Sequence, residues 1–152
     1  MNPSHFSSSL QLLIILCKTK WSDADQRYIE NHLIDESSVL YIAERHRVTP
    51  LLWSSIQKIN LFSPDTRKII SKTFQQNQLK ALRTKAFQSK LALLMEKHSV
   101  PGFFLKGTSI AERFYLDIAE RHVLDIDLYT TEECIYKMTS ELVHMGYEPT
   151  PN

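Results

Sequence analysis

From Asp65 to Val100 the chain carries neither glycine nor proline. In front of this run stands Ser63-Pro64-Asp65: a serine to cap a helix, a proline suited to its first position and an acid for its first turn. One long helix is predicted, roughly 50 Å at about 1.5 Å per residue, and the rest of the chain must fold around it. Leu79, Leu82, Ala86, Ser89 and Leu93 recur three and four apart and are expected to form its core-facing stripe. Lys72, Lys80, Arg83, Lys85 and Lys90 fall on its other faces. These read as a solvated surface, with nucleic-acid or phosphate contact as the weaker alternative.

Upstream, the signals are again helical. A serine near Ser9 caps a first helix through about Lys18, and Ser22 with Asp25 makes a capping-box start for a second through about Leu33. Asp35-Glu36-Ser37 opens a third, and Pro50 begins a short fourth carrying Leu51, Leu52, Trp53 and Ile56. The apolar run LQLLIILC at 10–17 is too short to span a bilayer and lacks the flanks of a signal peptide. No membrane association is expected. Cys17 and Cys134 are far apart in sequence and suit a reducing, cytoplasmic setting. The histidines, from His5 to His144, show no zinc-ligand spacing.

After Pro101-Gly102 the pattern changes. Phe103-Phe104-Leu105 reads as a buried strand ended by Gly107, and Thr108 or Ser109 caps a helix through Tyr115. Val123–Tyr129 alternates as a second strand, and Thr130 with Glu133 forms a capping box for a helix ended by Gly146. Charge changes at the same place. Residues 1–98 hold 14 Lys and Arg against 8 Asp and Glu, whereas residues 99–152 hold 4 against 9. The expected organisation is a helical region over 1–99 followed by a small αβ unit over 100–152.

Within that unit lies Asp125-Ile126-Asp127. On a strand, two carboxylates one residue apart share a face at about 7 Å, and each raises the cost of ionising the other. A divalent cation relieves that conflict, since hard oxygen ligands suit Mg²⁺ or Mn²⁺, which also bind nucleotide phosphates. A solvated or edge-strand pair is the plainer reading of these two residues alone. Upstream, the Gly107-Thr108-Ser109 turn offers a close backbone approach and free N–H groups to a phosphate, or simply a helix cap.

The ordered set Leu105-Lys106-Gly107, Tyr115, Arg121, Asp125-Ile126-Asp127-Leu128 and Gly146-Tyr147 resembles the uncharacterised nucleotidyltransferase family of the DNA polymerase β-like superfamily. His46-Arg47-Val48-Thr49-Pro50-Leu51-Leu52 is similar to an H-x-V-x-P-L-L element of its helical region. The resemblance implies an α+β fold, with a helical N-terminal region packed on a partial nucleotidyltransferase-like sheet. It also implies an activity: metal-dependent transfer of a nucleoside monophosphate from an NTP, with ATP the leading choice, to a hydroxyl of an unidentified acceptor. Asp125 and Asp127 would be the catalytic metal ligands for Mg²⁺ or Mn²⁺. Lys106, Gly107, Thr108, Ser109 and Arg121 would meet the nucleotide.

Two departures stand against the pattern. The superfamily turn is usually Gly-Gly or Gly-Ser, here Gly107-Thr108, and a third carboxylate is expected on a strand later than Asn152. That carboxylate would come from beyond residue 152 or from another chain. The alternative expectation is a non-catalytic, truncated module that binds a nucleotide or a protein, its sheet completed by a partner or a second copy.

Overall fold

The computed structural model describes residues 7–150. His5 and Pro151 lie outside the described residues. Helices α1 (Ser8–Leu16), α2 (Asp23–Asn31), α3 (Glu36–Arg45), α4 (Leu52–Ile56) and α5 (Pro64–Lys97) come first, with a 3-10 turn at Thr49–Leu51 leading into α4. Strand β1 (Gly102–Phe104), α6 (Thr108–Phe114), a 3-10 turn at Ile118–Glu120, β2 (Leu128–Thr130) and α7 (Glu132–His144) follow. The fold is α+β, a helical assembly with a small antiparallel sheet.

The expected caps form where local chemistry alone decides. Ser7 accepts from Leu10 N, and Ser22 and Asp25 close a reciprocal capping box reinforced by Lys18 Nζ at 2.6 Å from Asp25. Asp35 caps α3, and Ser63 caps α5 with Pro64 at its first position. At α7 the expected box does not form. The cap position is Thr131, and its side chain makes no cap hydrogen bond.

Helix α5 runs unbroken for 34 residues, about 51 Å at ~1.5 Å per residue. Its buried face is not the expected one. Leu79, Leu82 and Leu93 are mostly exposed, whereas Ile70, Phe74, Asn77, Ala81, Leu91 and Met95 are buried. The helix joins two apolar clusters. Ile70 packs with Leu12, Leu16, Val39, Leu52 and Ile56 of the first helices, and Trp53 stacks on Phe74 at 5.8 Å between centroids. Leu91 and Met95 pack with Val100 and Met138, against which Phe104, Ile126 and Leu128 lie.

The sheet pairs Gly102 with Thr130, Phe103 with Tyr129 and Phe104 with Leu128. One further bond, Leu105 N to the Asp127 carbonyl at 2.9 Å, carries the pairing past β2. The strand expected over 123–129 is therefore confined to its last residues, and 122–127 is irregular. With a three-residue partner, the ladder has nothing further to bond. Residues 122–125 line a cavity instead. No helix among the described residues is long and apolar enough to cross a membrane.

Candidate functional site

Three pieces of chain meet at a cavity of about 290 Å³. The end of α3 and the following turn supply His46, Arg47, Val48 and Leu51. The turn after β1 supplies Lys106 and Gly107. The segment before β2 supplies Arg121, His122, Val123, Leu124 and Asp125, with Tyr115 and Glu120 completing the lining.

Each piece is held by identifiable contacts. Helix α3 ends in a Schellman turn: Val48 N donates to the Ala43 carbonyl at 2.9 Å, and Arg47 takes the left-handed position with φ 58°. Glycine usually fills that position, because a Cβ crowds the backbone there. Gly107 precedes α6 at φ 71° and ψ −128°, and a Cβ on it would lie 3.0 Å from the Asp125 carbonyl. Glycine thus lets the Lys106 turn and the Asp125 segment touch. The 121 segment is pinned to α5, where Asn77 Nδ2 donates to the carbonyls of Ala119 at 2.6 Å and Arg121 at 2.8 Å. Glu120 is buried. Its carboxylate accepts from the Ser54 hydroxyl and from Leu116 N at 3.3 Å.

The residues expected to meet a nucleotide divide into two groups. Lys106, Gly107 and Arg121 share the cavity lining with the expected metal ligand Asp125. Thr108 and Ser109 do not. Thr108 is buried and donates its hydroxyl to Gln88 Oε1, while Gln88 Nε2 donates to Ser109 Oγ at 2.9 Å. Gln88 of α5 thus takes the Thr108 proton and donates to the Ser109 oxygen, fixing both side chains on the helix.

The two aspartates also differ. Asp125 is exposed and borders both the cavity and an apolar groove of about 510 Å³ that includes Phe87, Leu91, Ile126 and Met138. Asp127 is half-buried. Its Oδ2 is fully buried and has no hydrogen-bond donor aimed at it, although Lys106 Nζ lies 3.0 Å away as an ion pair. The contact with Asp127 and that carboxylate's charge hold the Lys106 ammonium above the usual lysine range, with Asp125 adding to the effect and Arg121 opposing it. These four groups therefore lie within electrostatic reach of one another.

A half-buried carboxylate beside an exposed one would suit a hard cation, although in this structure Lys106 neutralises Asp127. Among the described residues no group of three or more Asp, Glu, His or Cys converges as a metal site. Two carboxylates do not make an all-protein cage, so a divalent ion held here would have to complete its shell with phosphate oxygens and water.

Positive charge dominates the remainder of the cavity. Among the described residues, neither Arg47 nor Arg121 has a carboxylate within ion-pair distance. Arg121 Nε and His122 Nδ1 are buried without partners. Burial, followed by the charges of Arg47 and Lys80, pushes the His122 imidazole below its ordinary range. The lining role of His46, Arg47, Val48 and Leu51 was visible in sequence only as the H-x-V-x-P-L-L element. Nothing in the sequence marks Gln88.

No curated protein and no solved structure matches the chain. A sequence-family model described as an uncharacterised nucleotidyltransferase matches residues 32–152, a span that takes in all three pieces of the cavity lining and both aspartates. The chain belongs to the uncharacterised nucleotidyltransferase family.

Proposed function

We propose that this chain transfers a nucleoside monophosphate from an NTP, ATP being the first choice, to a hydroxyl of an acceptor in a divalent-metal-dependent reaction. The observation that carries this reading is the meeting of Asp125, Lys106, Gly107 and Arg121 at one cavity, with Asp127 tied to the group through Lys106. In the proposed step the acceptor oxygen bonds to the α-phosphorus and the α–β bridging P–O bond breaks. Pyrophosphate leaves with the electron pair, and the acceptor proton passes to solvent.

Asp125 and Asp127 would hold Mg²⁺ or Mn²⁺, which when bound would neutralise charge on the phosphates and the leaving oxygen. Lys106 and Arg121 would neutralise and orient the phosphate chain. Gly107 lets its turn lie against the Asp125 carbonyl, which a Cβ would meet at 3.0 Å, and so offers its backbone to the phosphates. The Thr108 and Ser109 hydroxyls would act indirectly, by fixing that turn on Gln88.

Calorimetric titration of ATP and GTP with Mg²⁺ or Mn²⁺ tests the reading. Metal-dependent binding is expected in the wild type and is expected to be lost in Asp125→Asn/Asp127→Asn. Unchanged metal-dependent binding in that double variant would falsify the assignment.

A second reading, a non-catalytic module whose sheet is completed by another chain, draws on the sheet itself. Among the described residues it has two strands, each with an open edge, and Phe103 and Tyr129 pair at 5.2 Å while more than half exposed. Self-association lost in Phe103→Ser, with no NTP turnover, would favour it.

A further inference from the structure

Among the described residues three helices end in the same hydrogen-bonded turn, and the residue in the left-handed position differs among them. After α7 it is Gly146 (φ 88°), after α5 it is Ser99 (φ 53°), and after α3, at the cavity, it is Arg47 (φ 58°). The turn itself asks for the smallest residue. A long cation there gives the fold nothing that glycine would not give, and it makes no ion pair among the described residues. Strained positions of this kind tend to gather at ligand sites.

What Arg47 faces is consistent with an anion. The cavity holds two guanidiniums without carboxylate partners, Arg47 and Arg121, and the Lys106 ammonium. Of its two carboxylates, Glu120 is turned onto Ser54 and Leu116 N, which leaves Asp125. Arg121 Nε is buried with no acceptor. The volume of about 290 Å³ equals about ten waters at ~30 Å³ each, room for a chain of phosphates with part of its hydration. With the Thr108 hydroxyl donated to Gln88, the charged side chains here that can meet phosphate are Arg47, Arg121 and Lys106.

We propose that Arg47 is a nucleotide-binding residue which, together with Arg121, holds the triphosphate of the substrate from the helical side of the cavity. The identity of the anion rests on the nucleotidyl-transfer reading, but the anion site itself does not. Planar, permanently charged guanidinium groups suit this task, because they can give a phosphate two parallel hydrogen bonds.

The test is calorimetric titration of sodium tripolyphosphate, without divalent metal, into the wild type, Arg47→Ala, Arg47→Gly and Asp125→Asn/Asp127→Asn. The wild type binds, and both Arg47 variants bind about tenfold or more weakly, the size of one lost charge-assisted contact. Arg47→Gly keeps or raises the melting temperature, which separates loss of the ligand contact from loss of the fold. The double aspartate variant still binds tripolyphosphate, and ATP displaces it. Failure of metal-dependent ATP binding thus leaves the anion site standing. Equal tripolyphosphate affinity in the wild type and both Arg47 variants, or none in the folded wild type, overturns the assignment.

Discussion

Asn77, buried near the middle of α5, donates its amide to the carbonyl of Arg121 at 2.8 Å while also holding that of Ala119 at 2.6 Å. One polar side chain thereby satisfies two backbone acceptors in an irregular segment and fixes where Arg121 enters the cavity. Asn77→Ala strands both carbonyls and is expected to cost about 2–4 kcal/mol, at ~1–2 per unsatisfied group. Urea denaturation measures it. Tripolyphosphate binding falls as well, because Arg121 loses its anchor. Wild-type stability in the variant would mean that water serves the two carbonyls equally well.

Glycine substitutions should differ by position. At Gly102 a Cβ would collide with the Tyr129 backbone carbonyl inside the sheet. At Gly107 it would meet the Asp125 carbonyl at 3.0 Å on a backbone at φ 71°. At Gly146 it would meet nothing within 4 Å, and only the left-handed conformation at φ 88° resists. Replacement by alanine is expected to destabilise in the order Gly102, Gly107, Gly146, the last by about 1 kcal/mol. Thermal melts of the three variants check the order, and Gly107→Ala alone should also weaken nucleotide binding.

Lys106 offsets the charge of Asp127, whose Oδ2 is buried. In Lys106→Met that oxygen has neither a cation nor a donor. The metal-free variant should melt a few degrees below the wild type, and added Mg²⁺ should restore it more than it stabilises the wild type, by linkage. A Mg²⁺ response no larger than that of the wild type would argue against a cation at Asp127.

His122 titrates below its ordinary value of 6.5 in the folded chain, first because of burial and then because of Arg47 and Lys80. In the unfolded chain it protonates near pH 6.5, before the folded form does. Its contribution to stability is therefore fully present above about pH 6.5 and is lost as pH falls through the lower folded value. His122→Gln should flatten the fall of the melting temperature as pH drops below about 6.5. In Arg47→Ala an NMR titration should place the imidazole closer to its ordinary value.

What could be read in the sequence was local. Ser22 with Asp25 and Ser63 with Pro64 declare their helix starts because each cap is settled within four residues. The length of α5 was legible for the same reason, since nothing inside it breaks a helix. Its orientation was not. The alternation of Leu79, Leu82 and Leu93 marked a stripe that faces water, whereas the buried face includes Asn77, and its partners Ala119 and Arg121 lie more than forty positions away. Val123–Tyr129 looked like a strand through its alternation, yet Leu124 is 62% exposed and pairing begins only at Leu128, apart from the Asp127 carbonyl. The Thr108 and Ser109 hydroxyls were legible as hydroxyls, but Gln88 decides what they bond.

Because α5 is a single unbroken rod, its contacts are set by rotational phase. Asn77 must point at the 119–121 carbonyls, Gln88 at the turn hydroxyls, and Met95 into the cluster beneath the sheet. One residue inserted between Asn77 and Gln88 would turn everything downstream by about 100°, unseating the Gly107 turn and the sheet together while leaving the first helices untouched. The two sides of the cavity are kept in step by the winding of one helix.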